Sequence, residues 1–159
     1  MRKLHRASSA PAGPASVTGF VCRSCGITLT GPLRRLDDSA ALATRNLAPL
    51  VPEGTYWRVT PGHLPTWNEG VPVDFTGCYA IRPDALIAVG EHSSAERWMG
   101  CCGPSGGGGP NRICSCGSPI GTERSDCMWP IAVYLDPQLV CPSTPAAEPG
   151  PAADVGLDD

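Results

Sequence analysis

Basic charge is scarce in this chain. Of 159 residues, 12 are Lys or Arg, and a single one of these is lysine, Lys3. Segment 20–141 carries 9 arginines against 11 acids, a net of −2, with no basic stripe of the kind that neutralises phosphates. Tight nucleic-acid binding is therefore not indicated. Long apolar runs are also missing. "MRKLHR" begins like a secretory leader, but "ASSAPAGPASVTGFV" supplies no apolar stretch behind it, and nothing nearby is long enough to span a bilayer. This predicts a cytoplasmic address without a membrane partner. Histidine is sparse and scattered: His5, His63 and His92 form no group in sequence. The H-x-E and P-C-x-x-C halves of a deaminase zinc site are both absent. "GPSGGGGPN" (103–111) lacks the Lys-Ser/Thr and the helix start that a phosphate-cradling loop needs.

Glycine, proline and cysteine fill the space these absences leave, with 19, 18 and 9 copies. Glycine and proline at this density work against long helices. Both ends are poor in large apolar residues, and "PSTPAAEPGPAADVGLDD" cannot offset the entropy of ordering. Residues 1–19 read as a basic disordered tail, 20–141 as the folded domain, and 142–159 as an acidic Pro/Ala tail.

Within the domain, "GFVCRSCGITLTG" (19–31) reads as strand, tight turn, strand. "LDDSAALATRNLAPL" (36–50) is the best helix candidate, capped by Asp37 or Asp38 and ended by Pro49. "GTYWRVTP", "VDFTGCYAI" and "PIAVYLD" are apolar enough for strands. "DALIAV" suits a strand or a short helix, "HSSAERWMG" one helical turn, and "PGHLPTWNEGVP" a loop. The expected architecture is a small β-rich (α+β) domain with one or two short helices and long loops.

Three cysteine pairs are followed by glycine: "CRSCG" (22–26), "CCG" (101–103) and "CSCG" (114–117). In a metal knuckle the chain turns tightly around the ion, and the residue after the second ligand often needs positive φ. Two knuckles facing each other supply four thiolates in a tetrahedron, the geometry zinc prefers. Cys22, Cys25, Cys114 and Cys116 are therefore the expected Zn2+ ligands. Stretching a 15-residue loop to 90 costs about 1.6 kcal/mol, against the order of 10–16 kcal/mol that a structural zinc contributes. The long separation is no objection. A local set, Cys102, Cys114, Cys116 and Cys127, is the competing arrangement. A second site drawing on Cys101 or Cys102, Cys127 and His92 is a further alternative. Neighbouring side chains diverge on an extended chain, so Cys101 and Cys102 are not expected on one ion. Cys78 and Cys141 read as core fillers. Glu91, Glu96, Glu123 and Asp126 read as solvated surface. Trp98 and Trp129 are expected to cover the metal region.

"CRSCGITLTGPL", "GCCGPSGGGGPNRICSCG" and "GTERSDCMWP…VYLDP", in that order, resemble a family of small cysteine-rich, zinc-ribbon-like proteins of actinobacteria, over roughly residues 20–140. The resemblance implies a cytosolic bacterial protein and supplies no catalytic residue. The leading expectation is a noncatalytic zinc-binding module that serves protein interaction. A thiol-based redox or metal sensor using Cys101 and Cys102 comes second, and a nucleic-acid binder using Arg23, Arg112 and Arg124 further behind.

Overall fold

The computed structural model describes residues 17–62, 67–68 and 71–143. Nine strands form one mixed sheet: β1 (Val17–Cys22), β2 (Leu33–Leu36), β3 (Thr55–Arg58), β6 (Tyr79–Ile81), β7 (Val89–Glu91), β8 (Arg112–Cys114), β9 (Pro119–Arg124), β10 (Ala132–Leu135) and β11 (Val140–Ser143). The order is β11-β1-β2-β3-β6-β10-β9-β8-β7. Only β2 and β3 run parallel. A separate antiparallel pair, β4 (Trp67–Asn68) with β5 (Val71–Pro72), stands where a plain loop is expected. The outer strands begin at Val17 and end at Ser143. The remainder of both tails, with His5, and also His63 lie outside the described residues.

Alternation along the central strands sorts side chains to two cores, as a period of two requires. On β10, Val133 and Leu135 join Phe20, Leu29, Tyr56, Tyr79, Ile81, Ile120 and Val140 on one face. Ala132 and Tyr134 join Trp57, Ala80, Leu50, Val59 and Phe75 on the other. The first core is centred on aromatics: Phe20 meets Tyr79 at 4.7 Å and Tyr56 edge-on at 5.3 Å between ring centroids. In the second, Phe75 stacks on Tyr134 at 4.0 Å.

The sheet curls until its far parts meet. Residues 28–30, which follow the turn after β1, pair with β1 on one side: Leu29 N–H donates to Phe20 O at 2.7 Å. On the other side they meet residues 86–87, where Thr30 bridges Leu86 and Ile87 N–H donates to Leu29 O at 2.8 Å. Ala88 O then accepts from Ser115 N–H at 3.0 Å, and Val89 pairs with Cys114. Segment 86–89 thus joins the β1 end of the sheet to the β8 end.

No α-helix occurs among the described residues; three 3-10 turns do, at Ser39–Ala41, Pro83–Ala85 and Ala95–Trp98. The expected helix over 36–50 reduces to the first of these. Its start is capped as expected, with Asp38 Oδ1 accepting from Ala40 N–H at 2.8 Å. Beyond Leu42 the backbone pairs elsewhere. Ala43 donates to Leu50 O, Leu47 to Trp129 O and Leu50 to Ile131 O, all at 2.8–2.9 Å. Local propensity is worth only tenths of a kcal/mol per residue, and pairing against residues 129–131 overrides it. Over 73–81 the strand shortens to Tyr79–Ile81, because residues 74–77 turn around Asp74, whose Oδ1 caps Thr76 N–H.

Candidate metal centre

Cys22 ends β1, and the chain turns back on itself at once. Cys22 N–H donates to Ile27 O at 2.9 Å, and Cys22 O accepts from Gly26 N–H at 2.8 Å. Gly26 has φ +75° with nothing near where a Cβ would stand, so the backbone angle rather than crowding calls for glycine. The second turn repeats this with one residue fewer. Cys114 N–H donates to Ser118 O, Cys114 O accepts from Gly117 N–H, both at 2.8 Å, and Gly117 has φ +88°. The x2 and x1 spacings therefore build equivalent turns.

Because segment 86–89 ties these two turns together, four thiols converge. The Sγ atoms of Cys22, Cys25, Cys114 and Cys116 all lie within 4.8 Å of one another. Cys25 Sγ stands 3.6 Å from Cys114 Sγ, and Cys22 Sγ 3.9 Å from Cys116 Sγ. A disulfide needs about 2.05 Å. A tetrahedron with metal–sulfur bonds of about 2.3 Å has edges of about 3.8 Å. The first cysteine of each turn is buried and the second exposed.

The electrostatics suit a cation. The Ile27 N–H pulls the Cys25 thiol down, but desolvation and the Cys116, Cys114 and Cys22 thiols together push it up to about 12. Cys116 is held at about 6, foremost by the Ser118 hydroxyl and then by its backbone N–H. Four thiols this close cannot all ionise unless positive charge sits among them.

A second group lies apart from the first. Cys101, Cys102 and Cys127 bring their Sγ atoms within 4.8 Å of one another. This overturns the expectation that adjacent cysteines diverge, since residues 101–103 form a bend rather than extended chain. The bend is very tight. A Cβ on Gly100 would overlap the Gly103 carbonyl and reach within 2.6 Å of Asp126 Oδ2. One on Gly103 would stand 2.9 Å from Ser125 O. Asp126 clips the two loops together, accepting from Cys101 N–H at 2.6 Å and Met128 N–H at 3.1 Å. Burial works to raise its carboxyl, but the Cys101 N–H, the Cys127 thiol and the Met128 N–H outweigh it and hold the group below its usual range. The neighbouring Cys102 thiol and Asp126 push Cys127 up to about 12.

The local set of Cys102, Cys114, Cys116 and Cys127 does not assemble, since its members divide between the two groups. His92 joins neither; its Nδ1 accepts from Ser94 N–H at 3.1 Å. Cys78 packs half-buried against the second core, where burial raises its thiol to about 12, and Cys141 pairs with Val21. Trp98 and Trp129 are each held by an arginine: Arg112 lies 5.2 Å from the Trp98 ring and Arg124 4.0 Å from the Trp129 ring.

Other residues depart further from expectation. Asp126 and Glu123 are buried, not surface acids. Glu123 pairs with Arg112 through Nε at 2.7 Å and through Nη2, and Arg124 is 1% exposed. Of the three arginines considered for nucleic acid, this leaves Arg23 exposed. Asn111, not singled out in sequence, is fully buried. It accepts from Glu123 N–H at 2.6 Å and donates to Glu123 O at 3.0 Å and Arg97 O at 3.2 Å, tying the residue ahead of β8 to β9. An Asn ahead of a strand carries no signal of such a role.

No family model, no curated protein and no solved structure matches the chain. The class that fold and site together define is a β-rich, cysteine-rich domain with thiol groups able to hold metal. Among the described residues no helix is long and apolar enough to cross a membrane.

Proposed function

We propose that Cys22, Cys25, Cys114 and Cys116 hold a structural Zn2+ and that the chain is a noncatalytic zinc-binding module that docks on a protein partner. The observation that carries this reading is the sulfur spacing of 3.6 and 3.9 Å within one compact group of four. Two tight cysteine turns, each followed by a positive-φ glycine and facing one another, also support a zinc-ribbon-like arrangement. With four protein ligands the ion has no position for substrate, which supports a structural role rather than a catalytic one. A cytoplasmic address accords with nine free thiols, and the resemblance to the actinobacterial cysteine-rich family points the same way. Exposed Ile27 and Ile87 beside the zinc turns, and exposed Leu47, suit a protein partner.

Elemental analysis of protein purified under reducing conditions tests the metal. At least one zinc per chain is expected, held by wild type and absent from Cys25→Ser. Metal-free wild-type protein that is fully folded would overturn the structural role. The sensor reading is kept as second choice because all three thiols of the other group are exposed or half-buried. Under that reading mild peroxide releases metal from wild type but not from the Cys101→Ser/Cys102→Ser variant.

A further inference from the structure

We propose that Cys101, Cys102 and Cys127 form a second metal centre that takes Cu(I) through three thiolates, with Met99 and Met128 supplying soft thioethers at its rim. The proposal stands independently of the four-thiolate reading.

Three observations converge on it. The first is ligand number. Structural zinc sites close with four protein ligands, and the described residues bring three donor atoms together here. The nearest carboxylate does not make a fourth, because no Asp126 oxygen is among the donor atoms that converge within 4.8 Å; its two oxygens accept backbone N–H groups instead. Asp126 is a positioning residue that holds the Cys101 bend against the Cys127 loop. The second is donor chemistry. The chain has 3 methionines; apart from Met1, they are Met99, two residues before Cys101, and Met128, next to Cys127. Both are largely exposed, at 67% and 61%, where an apolar side chain gains nothing from burial. Thiolate and thioether together select monovalent copper rather than harder ions. The third is access. Cys101 and Cys102 are exposed and Cys127 half-buried, whereas each turn of the other group buries its first cysteine. Such a centre can load and surrender its ion at the surface. On binding, the three thiols give up protons to solvent as the sulfurs bond to copper, and the copper stays Cu(I).

The test is an anaerobic titration of the zinc-loaded protein with Cu(I), held by bathocuproine disulfonate as competitor, with zinc and copper counted in the recovered protein. The expected result is one Cu(I) taken up per chain with zinc retained. Cys127→Ser and Cys102→Ser are expected to weaken Cu(I) by more than about 100-fold, beyond what loss of an outer-shell partner costs, and to keep their zinc. Met99→Leu/Met128→Leu, both at exposed positions, is expected to weaken Cu(I) by about tenfold with zinc unchanged. Copper that enters only as zinc leaves would overturn the proposal, as would Cu(I) affinity indifferent to Cys127→Ser. A second zinc that Cu(I) does not displace would also overturn it. Unchanged affinity in the double methionine variant would overturn the thioether contribution. Failure of the zinc reading has a different signature: Cu(I) lost with Cys127→Ser from a chain that never held zinc.

Discussion

Replacing Cys25 by serine separates the metal's contribution from that of packing. Cys25 is exposed, so its substitution opens no cavity, unlike Cys22 and Cys114, each 1% exposed in the first core. What the variant loses is the tie between the turn at 22–26 and the turn at 114–117. An ion joining Cys25 to Cys114, which are 89 residues apart, restricts the unfolded chain like a cross-link of that length. In the chain-entropy treatment that is worth about 4.5 kcal/mol. A domain's entire stability is about 5–15 kcal/mol, so the loss is a large fraction of it. Unfolding entropy of about 2.1 cal/mol/K per residue, over roughly 120 ordered residues, amounts to about 0.25 kcal/mol/K. The expected fall in melting temperature is therefore about 15–20 °C. Differential scanning calorimetry of wild type and Cys25→Ser, each with zinc and with a chelator, checks it. Chelated wild type should melt where Cys25→Ser does, and chelator should leave the variant unmoved. A drop below about 3 °C, or a variant that still destabilises the chelated protein by the full amount, would refute the reasoning.

Other perturbations probe the frame around the thiols. Asn111→Leu strands the Glu123 N–H and the Glu123 and Arg97 carbonyls in the interior. It should cost at least about 3 kcal/mol in a urea titration, since three groups lose their partner and each buried orphaned group costs about 1–3 kcal/mol. Gly100→Ala forces the Cys101–Cys102 bend open against Gly103 and Asp126; it should abolish Cu(I) binding and keep zinc, measured by metal analysis. Because thiolates are the ligands, protons compete with zinc. Release should therefore increase as pH falls from 7 towards 5, followed with a colorimetric zinc indicator, and reverse when pH is restored. Cys78→Ala and Cys141→Ala should keep full metal content, since neither sulfur lies in either converging cysteine cluster.

Gly26 and Gly117 were legible from sequence because their reason is local, whereas Gly103, read the same way, has no positive φ. A φ of +75° or +88° after the second thiol is a property of a few consecutive residues, and only glycine adopts it without strain. The strands of 55–58 and 132–135 were legible for the same kind of reason, as was β-richness. Other features were not. The segment over 36–50 has helical composition, yet its N–H groups meet carbonyls at 129–131, contributed by chain some 80 residues away. Glu123, Arg124 and Asp126 look like surface charge until β9 is laid between β8 and β10. Sequence by itself therefore determined which turns can wrap an ion. That Cys22 and Cys25 face Cys114 and Cys116 was also expected, but how the fold brings those two turns together was decided by the tertiary structure. Segment 86–89 hydrogen-bonds to residues 28–30 on one side and to Cys114 and Ser115 on the other, and that bracket brings Cys22 and Cys25 to Cys114 and Cys116. Backbone hydrogen bonds are the same for every residue, so side-chain spacing carries no record of which distant strands they will join.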